Sequence, residues 1–168
     1  MSKNRKNLKP KLPHVGTTIF AVMSGLAQKH GALNLSQGFP DFPVSPELIE
    51  RVTHYMEAGY NQYAPMTGVQ PLREQICRKA ERLYGARYHP DKEVNITAGA
   101  TQALYTIFAA VVHSGDEVIL FSPAYDSYAP AVEVHEGIPI FSYLKPPDYT
   151  IDWDEVRSLI NAKTCLLY

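Results

Sequence analysis

Apolar residues recur at helical spacing over the first half of the chain and in strand-like runs over the second. Ile19, Phe20, Val22, Met23, Leu26 and Ala27 form one helical stripe that Gly31 closes. Ser45 and Pro46 supply an N-cap and first-turn pair for a second helix, whose face is Leu48, Ile49, Val52, Tyr55 and Met56 and which stops at Gly59. A loop rich in Tyr, Pro and Gly runs from Asn61 to Gly68. A third helix follows from about Pro71 to Gly85, with Leu72, Ile76, Ala80 and Leu83 on one side. From residue 93 the pattern alternates: strand 93–97, helix 101–113, strand 117–121, helix 126–135 despite Pro130, strand 138–143, a helix around Trp153, Val156 and Ile160, then an apolar run from Thr164 to Tyr168. This alternation predicts an α/β layer with a mainly parallel sheet and flanking helices. Ligands of such sheets bind at the carboxyl ends of strands, where Gly99 and Tyr125 both fall.

The turn at Gly99 carries the most specific chemistry. A strand that bends sharply into a helix leaves the first helical amides unpaired, with the positive end of the helix dipole behind them. That is a seat for an anion, most often a phosphate. Gly99 lets the backbone approach closely, the amides of Ala100 and Thr101 point outward, and Thr101 adds a hydroxyl. The same residues also fit a plain strand–helix turn with Thr101 as N-cap. Ser122-Pro123-Ala124-Tyr125-Asp126-Ser127-Tyr128 sets Tyr125 just past the next strand, where a flat ring can stack on a planar ligand. A phosphate seat beside an aromatic ring suits an aromatic phosphorylated cofactor.

Bulk properties narrow the setting. With 168 residues the chain can bury a sizeable core. Sixteen basic against seventeen acidic side chains give a net charge of −1, which offers no global attraction for nucleic acid or a membrane surface. Cys77 and Cys165 are too few and too far apart for a disulfide framework or a zinc site, so a reducing cytoplasm is the expected setting. No apolar run approaches the roughly 20 residues of a membrane span. The first 13 residues hold Lys3, Arg5, Lys6, Lys9 and Lys11 without an acid, and Pro10 and Pro13 spoil an amphipathic presequence, so they read as a flexible basic arm. The closing apolar run lacks a turn, cap or polar tail and reads as an edge left by truncation.

Four motifs in order, Ser36-Gln37-Gly38-Phe39-Pro40-Asp41-Phe42, Asn61-Gln62-Tyr63, Thr97-Ala98-Gly99-Ala100-Thr101 and Pro123 to Tyr128, resemble the N-terminal part of class I pyridoxal-phosphate aminotransferases. The likeness is greatest to the methionine and kynurenine aminotransferase branch and runs from about Leu12 to Tyr168. It implies residues 1–44 as an N-terminal arm and substrate-facing segment with part of the small domain, and residues 45–168 as the first half of the large, cofactor-binding domain. It also implies pyridoxal 5'-phosphate as cofactor and a cytoplasmic homodimer acting on an amino acid, methionine or an aromatic one favoured, and a 2-oxo acid. Residue by residue, Gly99, Ala100 and Thr101 would hold the phosphate and Tyr125 would stack on the pyridine ring. Tyr63 would reach the partner subunit's phosphate, Gly38 would meet the substrate carboxylate, and Phe20 would border the substrate. Tyr63 also fits a packed loop tyrosine, and Phe20 and Tyr125 also fit ordinary core positions.

The chemistry of that family further needs a Schiff-base lysine, a carboxylate on the pyridine nitrogen and an arginine clamp, which the resemblance places downstream of Tyr168. No lysine of this chain takes the first role; Ser142-x-x-Lys145 has the spacing but reads as solvated. The chain by itself is therefore expected to be inactive and poorly soluble. Two rival readings share the scaffold: a carbon–sulfur lyase, and a non-catalytic domain that senses the cofactor or an amino acid.

Overall fold

A computed structural model describes residues 9–38 and 40–168. Lys3, Arg5, Lys6 and Phe39, which figured in the sequence reading, lie outside the described residues. The chain divides into two compact units, one of the residues up to Ala32 together with Gly99–Tyr168, the other Leu33–Ala98.

In the first unit, α1 (Ile19–His30) begins at Thr18, whose hydroxyl accepts from the Ala21 amide at 3.3 Å, and ends at Gly31. After α4 (Ala100–Val111), strands and helices alternate as β1 (Glu117–Ser122), α5 (Tyr128–Val134), β2 (Ile138–Tyr143), α6 (Trp153–Leu159) and β3 (Thr164–Leu167). The three strands form a parallel sheet in the order β2-β1-β3, as the alternation predicts. β1 is central, and its run Val118, Ile119 and Leu120 is fully buried because both faces of a parallel sheet are covered. Phe108 and Val112 of the α4 end and Val132 of α5 close one face over Val118 and Leu120. Each fully buried side chain of this size contributes about 1.5–3 kcal/mol relative to exposure. Pro130 is tolerated in α5 because it falls in the first turn, where its missing N–H has no carbonyl to meet.

In the second unit, α2 (Pro46–Glu57) and α3 (Gln70–Tyr84) flank the loop of residues 61–68. Both helices carry Pro in the first turn, and Gly85 ends α3 as expected. Ser45 occupies the N-cap position of α2 without a side-chain cap bond, and its carbonyl accepts from the Ile49 amide at 3.2 Å.

Three expectations change. Residues 93–97 form no strand: the Ile96 amide bonds the Thr67 carbonyl at 3.1 Å, but no described residue supplies a ladder alongside. A strand is a shared structure, and β-branched residues without a neighbour remain only extended. The basic arm lies mostly outside the described residues, and its described end touches the fold: Lys11 Nζ donates to the Val134 carbonyl at 3.1 Å, and just past the arm His14 Nε2 meets Glu133 Oε2 at 2.9 Å. Contacts across more than a hundred residues have no local signature. The apolar face of α2 is formed but uncovered, with Leu48, Ile49, Val52, Tyr55 and Met56 all half-exposed.

Candidate functional site

Gly99 heads α4 with φ 93° and ψ 167°, and no atom lies within 4 Å of the place a Cβ would take. Glycine is required there by backbone conformation and not by crowding. The helix begins one residue earlier than its apolar pattern indicates, so Gly99 occupies the N-cap and Thr101 lies inside the first turn; Thr101 is not the cap. Ala100 and Thr101 are exposed, and the first turn holds no acidic side chain to compete for the amides. A twelve-residue helix that opens this way presents amide donors and a positive dipole end to solvent.

The second half of the geometry follows β1. The chain leaves the strand through Ser122-Pro123 and turns at Tyr125, whose carbonyl accepts from the Tyr128 amide at 3.2 Å. Phe121, Pro123, Ala124, Tyr125, Tyr128 and Tyr168 line an open cleft of about 450 Å³. Its rings are braced against one another: Tyr125 lies 5.9 Å from Tyr128, and Tyr128 lies edge-on to Tyr168 at 4.8 Å. The hydrogen bond with Tyr128, aided by burial, pushes the Tyr168 phenol above its ordinary pKa. Tyr125 itself stays half-exposed, so one side of its ring is open to a ligand.

Phe20 enters from the first turn of α1, its ring centroid 6.2 Å from that of Tyr125 and tilted by 32°. Thr101 and Ser127 share the wall of an apolar hollow of about 210 Å³, which ties the start of α4 to the segment carrying Tyr125. Leu12 of the arm's described end lines the same hollow. The first unit thus gathers Gly99, Ala100, Thr101, Tyr125 and Phe20.

Gly38 and Tyr63 belong to the second unit. Gly38 is exposed with open space at its Cβ position. Tyr63 stands fully in solvent on the loop of residues 61–68. Asn61 anchors one end of that loop, its side-chain amide donating to the Met56 carbonyl at 2.7 Å.

Among the described residues, neither the cleft nor the hollow is lined by a charged side chain. Together with the α4 amides they can hold an anion and a flat ring and shape the space beside it, but their described lining offers no lysine amine. Lys145 is exposed and lines a separate hollow with Glu155, to which Ser142 donates at 2.9 Å; neither Ser142 nor Lys145 lines the Tyr125 cleft. Among the described residues no cluster of His, Cys, Asp and Glu is placed to hold a metal ion. No helix among them is long and apolar enough to cross a membrane. The residue that sequence reasoning missed is Arg73, the buried cation of the second unit. Its one local signal is a basic side chain in the first turn of a helix, where the dipole opposes it.

Comparison with known proteins bears on this geometry. The pattern of the family described as aminotransferase class I and II matches residues 30–168. The chain is 52% identical over 167 residues to the methionine aminotransferase of Escherichia coli, covering 99% of this chain and 43% of that protein. A crystal structure of an Escherichia coli protein identified as having a methionine aminotransferase function superposes with a TM-score of 0.92 over 97% of this chain and 43% of that one. The chain is 38% identical over 150 residues to a probable N-succinyldiaminopimelate aminotransferase of Mycobacterium tuberculosis, covering 88% of this chain and 38% of that protein. Human kynurenine–oxoglutarate transaminase 1 is 38% identical over 123 residues, covering 72% of this chain and 29% of that protein. The chain thus spans less than half the length of each of these relatives. With this match over most of its length and the helix N-terminus and aromatic cleft in one unit, the chain belongs to the class I and II aminotransferase family.

Proposed function

We propose that the holoenzyme carrying this sequence transfers an amino group from an amino acid, methionine or an aromatic one favoured, to a 2-oxo acid. Proteins of this family use pyridoxal 5'-phosphate. The first unit suits that group: amide donors at a helix start free of acids for the phosphate, and a half-exposed tyrosine ring for the planar part. When bound, the cofactor supplies the electron sink that lets bonds at the amino-bearing carbon rearrange. This chain's residues bind and orient. The amides of Ala100 and Thr101 fix the phosphate, Gly99 allows the approach, and Tyr125 sets the plane of the ring. Phe20, packed on Tyr125, borders the substrate, and Gly38 offers its amide to the substrate carboxylate. Tyr63 reaches across a homodimer to the partner's phosphate. Residues 1–44 act as arm and substrate-facing segment and 45–168 as part of the cofactor-binding domain, and the enzyme works in the cytoplasm.

The observation that carries this reading is the joining, in one unit, of the α4 start and the Tyr125 cleft through the hollow shared by Thr101 and Ser127. The test is a donor screen of the holoenzyme with methionine, aromatic amino acids and aspartate against several 2-oxo acids. Amino transfer fastest from methionine or an aromatic donor is expected. Release of thiol and ammonia in place of transfer indicates a lyase, and no transfer from any donor refutes the reading.

A further inference from the structure

The loop that carries Tyr63 is exposed at its tip but held at its base. Tyr63 and Met66 are fully in solvent, while Gly68, five residues beyond Tyr63, is buried. Gly68 has φ 92°, and a Cβ there would sit 2.2 Å from Ile96 Cγ1, so the loop base lies directly on the Ile96 side chain. The Ile96 amide completes the contact by donating to the Thr67 carbonyl at 3.1 Å.

Arg73 locks this joint. It is 7% exposed, and its guanidinium is spread over four acceptors. Nε donates to the Gly68 carbonyl at 3.2 Å, Nη1 to the Pro90 carbonyl at 2.7 Å and to Asp91 Oδ1 at 3.1 Å, and Nη2 to Gln70 Oε1 at 2.6 Å. One planar group therefore binds the base of the Tyr63 loop, the first turn of α3 and the segment of residues 90–96. That segment runs on into Gly99. A cation in the first turn of a helix is disfavoured by the dipole, and burying it carries a desolvation cost. Helix stability does not explain its position; the fork of acceptors does. Lysine has no such fork, since its single ammonium cannot span carbonyls lying in different directions.

We infer that Arg73 is a positioning residue for cofactor binding: it fixes the loop base so that Tyr63 is presented in one place. The inference rests on the reading of Tyr63 as a phosphate contact given above. Arg73 touches neither cofactor nor substrate and acts only through the loop.

The test is a double-mutant cycle in the holoenzyme, reading the dissociation constant of pyridoxal 5'-phosphate by absorbance titration of the apo-protein. Unphosphorylated pyridoxal serves as control. Arg73→Lys is expected to weaken pyridoxal 5'-phosphate about tenfold, equivalent to about 1.4 kcal/mol. It should leave pyridoxal within about twofold and add less than about twofold to Tyr63→Phe. Amide exchange of residues 61–68 should quicken in the apo-protein. Should Arg73→Lys fail to fold, Asp91→Ala, whose side chain is 54% exposed, carries the same cycle with an expected loss of about threefold. If Tyr63→Phe weakens the cofactor but the Arg73 effect persists at full size in that background, the positioning role is overturned and the Tyr63 reading stands. If Tyr63→Phe leaves the phosphate cofactor unaffected, both fall.

Discussion

At the residue scale, two glycines with nearly equal φ separate conformational need from steric need. Gly99 has φ 93° with open space at its Cβ position, and Gly68 has φ 92° with Ile96 Cγ1 at 2.2 Å. Gly99→Ala therefore carries only the backbone strain, about 1–3 kcal/mol. Gly68→Ala carries the same strain and also displaces Ile96. Thermal melts of the two variants are expected to show the larger drop for Gly68→Ala, and equal drops would mean that the overlap relaxes freely. Tyr125 supports a second prediction. Tyr125→Leu keeps apolar bulk in the cleft but removes the flat ring, so cofactor affinity should fall about tenfold, or about 1.4 kcal/mol, in an absorbance titration of the apo-protein. An unchanged affinity would make Tyr125 a packing residue only. Gly99 and Tyr125 were legible as candidates because each combines an unusual residue type with a break in pattern, and Phe20 only through the family resemblance. Arg73 was not: its acceptors, Gly68, Pro90 and Asp91, become neighbours only when the chain folds back.

At the element scale, the helices follow their apolar stripes and cap signals, and the strands follow their runs only where a partner is at hand. β1 pairs with both β2 and β3 and all three appear as expected, whereas residues 93–97, though also β-branched at Val94, Ile96 and Thr97, have no ladder. α6 shows how a helix start registers in pH dependence. Asp152 caps it by accepting from the Asp154 and Glu155 amides, both at 3.0 Å. The Glu155 bond foremost, then the Asp154 bond, lowers the Asp152 carboxyl below its ordinary value of 3.8. A lowered folded-state pKa contributes stability that is complete above the ordinary value and lost as pH falls through the folded one. Melting temperatures of the wild type and Asp152→Ala should thus differ at pH 7, and the gap should narrow as pH falls below the ordinary value of 3.8. A gap that persists in acid would show that the cap does not depend on the charge.

For the molecule as a whole, the large apolar side chains left at the surface govern how the polypeptide by itself behaves in solution. The α2 face, together with Leu33, Leu35, Phe42, Tyr63 and Met66, is exposed well beyond what a soluble monomer leaves uncovered. The 168-residue polypeptide alone is expected to self-associate in sedimentation, and a sharp cooperative melt as a monomer would contradict this. Its described lysines line neither the cleft nor the hollow, so borohydride reduction with pyridoxal 5'-phosphate should leave no specific adduct on any one lysine by mass mapping. A single modified lysine would refute that expectation.

The sequence by itself determined the helices, the parallel character of the sheet, the family, and the glycine turn at Gly99 that makes it a candidate anion seat, because all of these are written in local periodicity, punctuation and short motifs. The tertiary structure decided which apolar faces are covered, whether a β-branched run becomes a strand, where the described end of the arm touches the fold, and that Arg73 ties the Tyr63 loop to the segment running into Gly99. The physical reason is the same in each case. Burial, pairing and multi-centre hydrogen bonds depend on what lies across space, and residues distant in sequence leave no trace of that neighbour in the local pattern.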